Sequence, residues 1–216
     1  MDLVIIIPAQ DTNQYHKDGD LAPFGDTTLL EWKISQCKEI ISNNKIYISS
    51  DSELIKEISI QEDIGFIHRD KGMEYSDIIY STLSSVNAEF ILWTNPTSPF
   101  IGYNDYSKMI NEVSLDNSIS SLVSIYEKHD YVYYNNKRLN FYNKFTNRNT
   151  IKPIQIMTNG CYIIKKEKAI QLQSLYDDSP SFYKLDYLSS IEIKDFMTYS
   201  ISNELISSYF KRELDV

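Results

Sequence analysis

The sequence predicts an α/β fold with a single doubly wound, mainly parallel sheet. Three observations predict it. Short, dense apolar runs recur along the chain, as in strands buried on both faces. Segments of helical periodicity separate them. The alternation runs five or six times without an internal repeat or an obvious linker, so the 216 residues are expected to form one domain.

Leu3 to Pro8 is the first apolar run and ends on proline. Ala9 to Asp26 follows as a polar loop broken by Gly19, Pro23 and Gly25. Thr28 to Ile41 reads as a helix, with Leu29, Leu30, Trp32, Ile34 and Cys37 on one broad face and a Thr-to-Glu31 capping signal. Lys45 to Ser49 is a strand, Ser52 to Ser59 a helix, and Gly65 to His68 a brief strand. Tyr75 to Val86 places Ile78, Ile79, Leu83 and Val86 on one helical face. Glu89 to Thr94 is a buried strand stopped by Asn95-Pro96, and Tyr103 to Val113 suits a helix. Ser120 to Tyr126 is a strand, and Tyr131 to Phe145 suits a hairpin or loop. Asn159-Gly160 precedes a strand from Cys161 to Ile164 and could be a type I′ hairpin turn. Glu167 to Leu175 reads as a helix. Ile191-Glu192-Ile193 is strand-like and leads to a helix with Met197, Ile201, Leu205 and Ile206.

Net charge is −9, with 30 acidic and 21 basic residues and only four arginines. No basic cluster could neutralise a phosphate backbone, so nucleic acid is not an expected partner, whereas one small nucleotide needs only a few placed donors. No apolar run approaches the roughly 18 residues of a membrane span, and the start shows no signal-peptide pattern. Cys37 and Cys161 give neither a disulfide framework nor zinc spacing, so a reducing cytoplasm is expected.

In a doubly wound sheet, ligands bind beyond the carboxyl ends of the strands. The candidate loops therefore follow Ile7, Ser49, Thr94 and Ile156. The first holds no G-x-G-x-x-G and no phosphate-loop lysine motif. Ser49-Ser50-Asp51-Ser52 could cap a helix or receive a ligand. Asn95-Pro96-Thr97-Ser98-Pro99 is a rigid turn that could place Asn95 and Thr97 over a ligand. Arg69 could clamp a phosphate or carboxylate, or pair with Asp70 or Glu74. Glu192 could be a metal ligand or a solvated edge residue.

In order, these pieces resemble the acylneuraminate cytidylyltransferase family, the CMP-sugar synthetases. The family's strand-I-P-A-R loop is similar to Ile7-Pro8-Ala9-Gln10, and its K-P-L element to Ala22-Pro23-Phe24. Its S-T-D-S resembles Ser49 to Ser52, and its R-P resembles Arg69-Asp70. Its L-Q-P-T-S-P is similar to Thr94 to Pro99, its N-G to Asn159-Gly160, and its I-D-I-D to Ile191 to Lys194.

The resemblance implies a nucleotidyltransferase that joins CMP from CTP to an acidic, nonulosonate-like acceptor and releases pyrophosphate. By position, Gln10, Lys17 and Arg69 are the implied catalytic residues. Ala9, Gln10, Gln14, Asp20, Ser50, Asp51, Asn95 and Thr97 would bind the nucleotide. Asn159, Gly160 and Arg69 would hold the acceptor, and Glu192 would bind Mg²⁺. A homodimer paired through a hairpin around 127–152 is also implied, as is a place in surface-polysaccharide synthesis.

The departures from the family pattern concern charge. Gln10 stands for the signature arginine, Gln14 and Gly19 for two lysines, and Asp20 for an asparagine. Ala22 replaces a further lysine, Asn95 a glutamine, and Lys194 the second late carboxylate. A charge-assisted contact is worth about 1.5–3 kcal/mol, so three lost loop cations would weaken triphosphate binding by several powers of ten unless replaced. The alternative is therefore a non-catalytic cytidylyltransferase-like protein that binds a nucleotide or sugar. A glycosyltransferase-like reading fits less well, because Asp18-Gly19-Asp20 lies in mid-loop, away from a strand end.

Overall fold

The computed structural model describes residues 1–142 and 147–214. Seven strands form one sheet: β1 (Leu3–Pro8), β2 (Ile46–Ser50), β3 (Gly65–His68), β4 (Phe90–Trp93), β5 (Ser121–Lys128), β6 (Ile154–Lys165) and β7 (Ser181–Lys184). Their spatial order is β7-β5-β6-β4-β1-β2-β3. β6 pairs antiparallel with both β4 and β5, and every other pairing is parallel. The expected mainly parallel α/β sheet is therefore present.

The helices are α1 (Leu29–Lys38), α2 (Glu53–Gln61), α3 (Tyr75–Ser84), α4 (Tyr103–Leu115), α5 (Lys166–Leu172) and α6 (Phe196–Leu214). Alternation along β1 sorts the core. Leu3, Ile5 and Ile7 pack with α1, α2 and α4, while Val4 and Ile6 pack with α3 and α5. α1 starts with the expected capping box: Glu31 N donates to Thr28 Oγ1 at 3.2 Å, and Thr28 N donates to Glu31 Oε2 at 3.1 Å. None of the described helices is long and apolar enough to cross a membrane.

Three local expectations change. Asn159-Gly160 is not a hairpin turn, because it lies inside the twelve-residue strand β6. The register slips there, between Met157 and Tyr162, so the pair forms a bulge that lifts Asn159 out of the ladder. Ile191 to Ile193 is not a strand; it is irregular backbone held to the turn after β4 by Ile193 N donating to Thr97 O at 2.8 Å. Ser181–Lys184 is an additional edge strand, half exposed and too short to announce itself. In the 127–152 segment, Tyr133–Tyr134 pairs with Lys137–Arg138 around Asn135 and Asn136, both at positive φ. Residues 143–146 of that segment lie outside the described residues.

β1 sits at the topological switch point: the chain winds outward to β2 and β3, then crosses back to β4 on the other side of β1. The loops after β1 and β4 therefore flank the point where sheets of this kind bind ligands.

Candidate active site

The carboxyl ends of four strands are laced together. Ala9 N donates to Ser49 O at 3.0 Å, Arg69 N to Ser50 O at 3.1 Å, and Thr94 N to Ile6 O at 3.0 Å. The Arg69 side chain is buried, and its Nη2 donates to Ala9 O at 2.9 Å. Asp51 and Asp20 both favour its positive charge against the cost of burial. Arg69, Ala9 and Asp51 thus share one ledge. Ser50 Oγ accepts from Ser52 N at 3.2 Å, and Ser52 caps α2, so these two hydroxyls hold the turn.

The loop after β1 is fastened from beneath. Gly19 has φ +50, and a Cβ there would stand 2.4 Å from Gln10 O, so only glycine fits. Asp20 turns inward: one carboxylate oxygen accepts from Gln10 N at 2.7 Å, the other from Tyr15 OH at 2.6 Å. Burial pushes the Asp20 carboxyl up to about 6, against the opposing pull of those two hydrogen bonds and Arg69. Asp20 is therefore spent on the loop itself. Gln10, Gln14 and Lys17 have exposed side chains on that loop. α6 supports it from outside, with Tyr199 OH donating to Pro23 O at 2.6 Å and Asn203 Oδ1 accepting from Gly25 N at 3.1 Å.

The other wall joins Asn95, Asn159 and Glu192 in one network. Asn95 Nδ2 donates to Asn159 O at 2.7 Å. Asn159 Nδ2 donates to Glu192 Oε1 at 2.5 Å, and Asn159 Oδ1 accepts from Tyr162 OH at 2.7 Å. Glu192 Oε2 also holds Lys194 Nζ at 3.0 Å. Asn95, Thr97 and Asn159 line a cavity of about 640 Å³, together with Tyr75, Tyr162 and Tyr176. Its lining residues are amides, hydroxyls and apolar groups, with no ionised side chain among them. Gln10, Lys17 and Arg69 do not line this cavity. Gly160 is buried, and its carbonyl accepts from Thr94 Oγ1 at 2.7 Å.

A buried relay beneath the turn escaped sequence reasoning. Lys33 Nζ donates to Tyr106 OH at 2.7 Å and to Ser98 O at 2.9 Å. Gly160 O can only accept, so Thr94 donates to it and Tyr106 donates to Thr94, at 2.7 Å. The relay pins the turn after β4 to α1 and β6. Its signal was a lysine on the apolar face of α1, between Leu30 and Cys37, where a charge needs buried acceptors.

The side chains around Glu192 do not fit a divalent cation. Glu192 is the single carboxylate in this network, and its oxygens are taken by an amide donor and an ammonium. A hard cation needs several oxygen ligands. Among the described residues, no group of three or more His, Cys, Asp or Glu could hold a metal ion.

Comparison with solved structures places this architecture. CMP:2-keto-3-deoxy-manno-octonic acid synthetase, solved in complex with CTP, superposes with a TM-score of 0.74 at 12% identity, covering 99% of this chain and 100% of that one. A 4-diphosphocytidyl-2C-methyl-D-erythritol synthase from Anaerococcus prevotii gives 0.68 at 14% identity, covering 97% and 98%. A cytidylyltransferase from Leptospira borgpetersenii serovar Hardjo-bovis gives 0.66 at 14%, covering 96% and 87%. At such identities these likenesses establish the fold. No curated protein matches the sequence. A family model described as cytidylyltransferase, however, matches residues 4–200, from β1 through the start of α6, so this chain belongs to the cytidylyltransferase family.

Proposed function

We propose that the protein transfers CMP from CTP to a hydroxyl of a polyhydroxylated, sugar-like acceptor. The acceptor oxygen attacks the α-phosphorus, the bond to the β-phosphate breaks, and pyrophosphate leaves. Such chemistry rests on positioning and electrostatic stabilisation. The observation that carries this reading is the switch point of the sheet, with Arg69 and Asp51 on the ledge after β1 to β3 and an amide- and hydroxyl-lined cavity beside the turn after β4. Ala9, Asp51 and Arg69 form the ledge, where the nucleotide would lie with Lys17 and Gln10 above it. Asn95, Thr97 and Asn159 form the wall that would orient the acceptor hydroxyl. The amides and phenols of the cavity read hydroxyls, which suits a sugar; an acidic sugar of the nonulosonate type is the first acceptor to test.

A specific observation favours a second reading. The loop that would cradle phosphates is fastened by a buried carboxylate, and three positions that the family resemblance would give to cations are Gln10, Gln14 and Gly19. A non-catalytic nucleotide-binding relative would look the same. Pyrophosphate release from CTP, assayed with a panel of acidic and neutral sugars, separates the two. Turnover that is lost in Arg69→Met supports the enzyme. CTP binding without turnover on any acceptor supports the binding protein and contradicts the enzyme.

A homodimer through the aromatic hairpin around 127–152 belongs to the same proposal, and sedimentation would read it.

A further inference from the structure

A second cavity, of about 450 Å³, lies between α1, the start of α4 and α6, and shares no lining residue with the first. Its volume falls within the range of small-molecule sites, about 300–1,000 Å³. We infer that it is a second ligand site, built for a small amphipathic amine: an aromatic or other apolar body that carries a protonated nitrogen. The inference stands apart from the nucleotide reading.

Three observations support it. First, the walls are apolar and held in place. Trp32 and Gln36 on α1, and Glu39 just beyond its end, follow the i, i+4, i+7 spacing of one helix face, and all three line the cavity. Trp32, Phe100 and Tyr103 supply rings, and Leu188 and Leu205 supply aliphatic surface. Phe24, fully buried and outside the lining, packs on two of the rings, with its centroid 6.5 Å from Trp32 and 6.1 Å from Phe100. Trp32 Nε1 donates to Pro99 O at 2.7 Å, which fixes the indole.

Second, Gln36 brings an orphan acceptor to the lining. Gln36 is 7% exposed, and its Nε2 donates to Pro99 O at 2.9 Å. A carbonyl only accepts, so the amide nitrogen must face it, and Oε1 is left without a partner. A buried acceptor with no donor costs free energy that a ligand N–H brought to it would recover. Third, the charge has one sign. Glu39 is exposed, and no Lys, Arg or His stands among the described lining residues. Trp32 Nε1 and the Ser208 hydroxyl already donate, to Pro99 O and Glu204 O. The Gln36 and Glu39 oxygens are thus left to accept. An ammonium suits both, and the faces of the rings attract a cation as well. A carboxylate would be repelled by Glu39.

The test is calorimetric titration of the full chain with three matched probes: phenethylamine, phenethyl alcohol and phenylacetate. The amine is expected to bind with a dissociation constant below about 1 mM, within reach of a molecule of about nine heavy atoms. It is expected to bind at least about tenfold more tightly than phenylacetate, with the alcohol between them. The chain has two tryptophans, and Trp93 is fully buried outside the cavity, so a change in tryptophan emission that saturates with the same constant places the amine at Trp32. Glu39→Gln is expected to weaken the amine about fivefold, the worth of one exposed ion pair, and to leave the alcohol unchanged. Glu39→Lys is expected to reverse the order of amine and carboxylate. Melting curves check that both variants, at an exposed position, fold. No amine binding at millimolar concentration, equal affinity for the three probes, or an amine affinity that neither variant moves overturns the inference. Every readout is taken without CTP, so such a failure leaves the nucleotide site standing.

Discussion

The two walls of the candidate site are built on different physics. The wall after β1 is tied by buried ionisable side chains: Asp20 lies beneath the loop, and Arg69 is buried beside it with Nη2 on Ala9 O. The wall after β4 relies on neutral donors and acceptors running from Tyr106 through Thr94 to Gly160, with one ammonium, Lys33, at the origin. The difference teaches where charge is available. On the first wall it holds the loop together, so little remains for a ligand beyond Arg69 and the exposed Lys17. On the second wall the exposed cation, Lys194, is paired with Glu192. Residue counting alone does not reveal this difference in use.

The largest expected effect comes from breaking the charged wall. Arg69→Met removes the tie between β1 and β3 and leaves Asp20 and Asp51 without their cation. We expect kcat/KM for CTP-dependent pyrophosphate release to fall about 100-fold, roughly 3 kcal/mol, with a lowered Tm. Arg69→Lys should recover little, because an ammonium lacks the guanidinium's planar set of donors. If Arg69→Met retains wild-type activity, the first wall does not hold the nucleotide.

Asp20 comes next. Asp20→Ala leaves Gln10 N and Tyr15 OH without their acceptor, and denaturant melts should show a loss of about 2–3 kcal/mol. Asp20→Asn keeps an acceptor for Gln10 N and can donate to Tyr15, so it should cost less. It also separates charge from shape. The folded carboxyl is raised from 3.8 to about 6, so the folded state binds the extra proton between those values. This contribution is fully present below pH 3.8 and is lost as pH rises through about 6. Wild type should therefore exceed Asp20→Asn by more at pH 4.5 than at pH 7. Equal differences at both pH values would mean that burial does not raise the Asp20 carboxyl.

Lys33 tests the second wall. Burial pulls its ammonium down to about 8 from 10.5. The unfolded chain keeps the proton across that window, so this contribution raises stability as pH climbs from about 8 toward 10.5. Lys33→Met should lose that rise. It should also loosen the turn at Ser98 and raise the acceptor KM about five- to tenfold, the worth of one or two hydrogen bonds. A flat alkaline profile in wild type would contradict the buried ammonium.

The smallest effects belong to the amides. Asn159→Ala removes donor and acceptor together, and Asn95→Ala removes one donor. We expect roughly tenfold and threefold increases in acceptor KM, with CTP binding almost unchanged. Steady-state kinetics with CTP saturating would show this. A larger change in CTP affinity than in acceptor KM would assign this wall to the nucleotide.

Most of the fold was legible because buried parallel strands write dense apolar runs, and β1, β2 and β4 are such runs. The edge strand β7 was not, because half-exposed residues such as Ser181 and Lys184 carry no such signal. Of the candidate positions, Ala9, Arg69 and Asp51 are neighbours in the structure, and Asn159 links Asn95 to Glu192. Their partners were not legible. A sequence shows Asp20 as an acid in a polar loop, and only the Tyr15 and Gln10 contacts turn it into an internal fastener. The Asn159-Gly160 turn signal misled because the same pair also suits a strand bulge, and long-range pairing with β5 chose between them.

The account depends on a cytidine nucleotide seated over Ala9 and Arg69. A thermal melt with CTP, UTP and ATP tests it most directly. Ligand at 100 times its dissociation constant adds about 2.7 kcal/mol, which for a chain of this size raises Tm by roughly 5–10 °C. The prediction is a rise of that size with CTP, little or none with ATP, and none with CTP for Arg69→Met. A Tm unmoved by CTP, or moved equally by all three nucleotides, would contradict it.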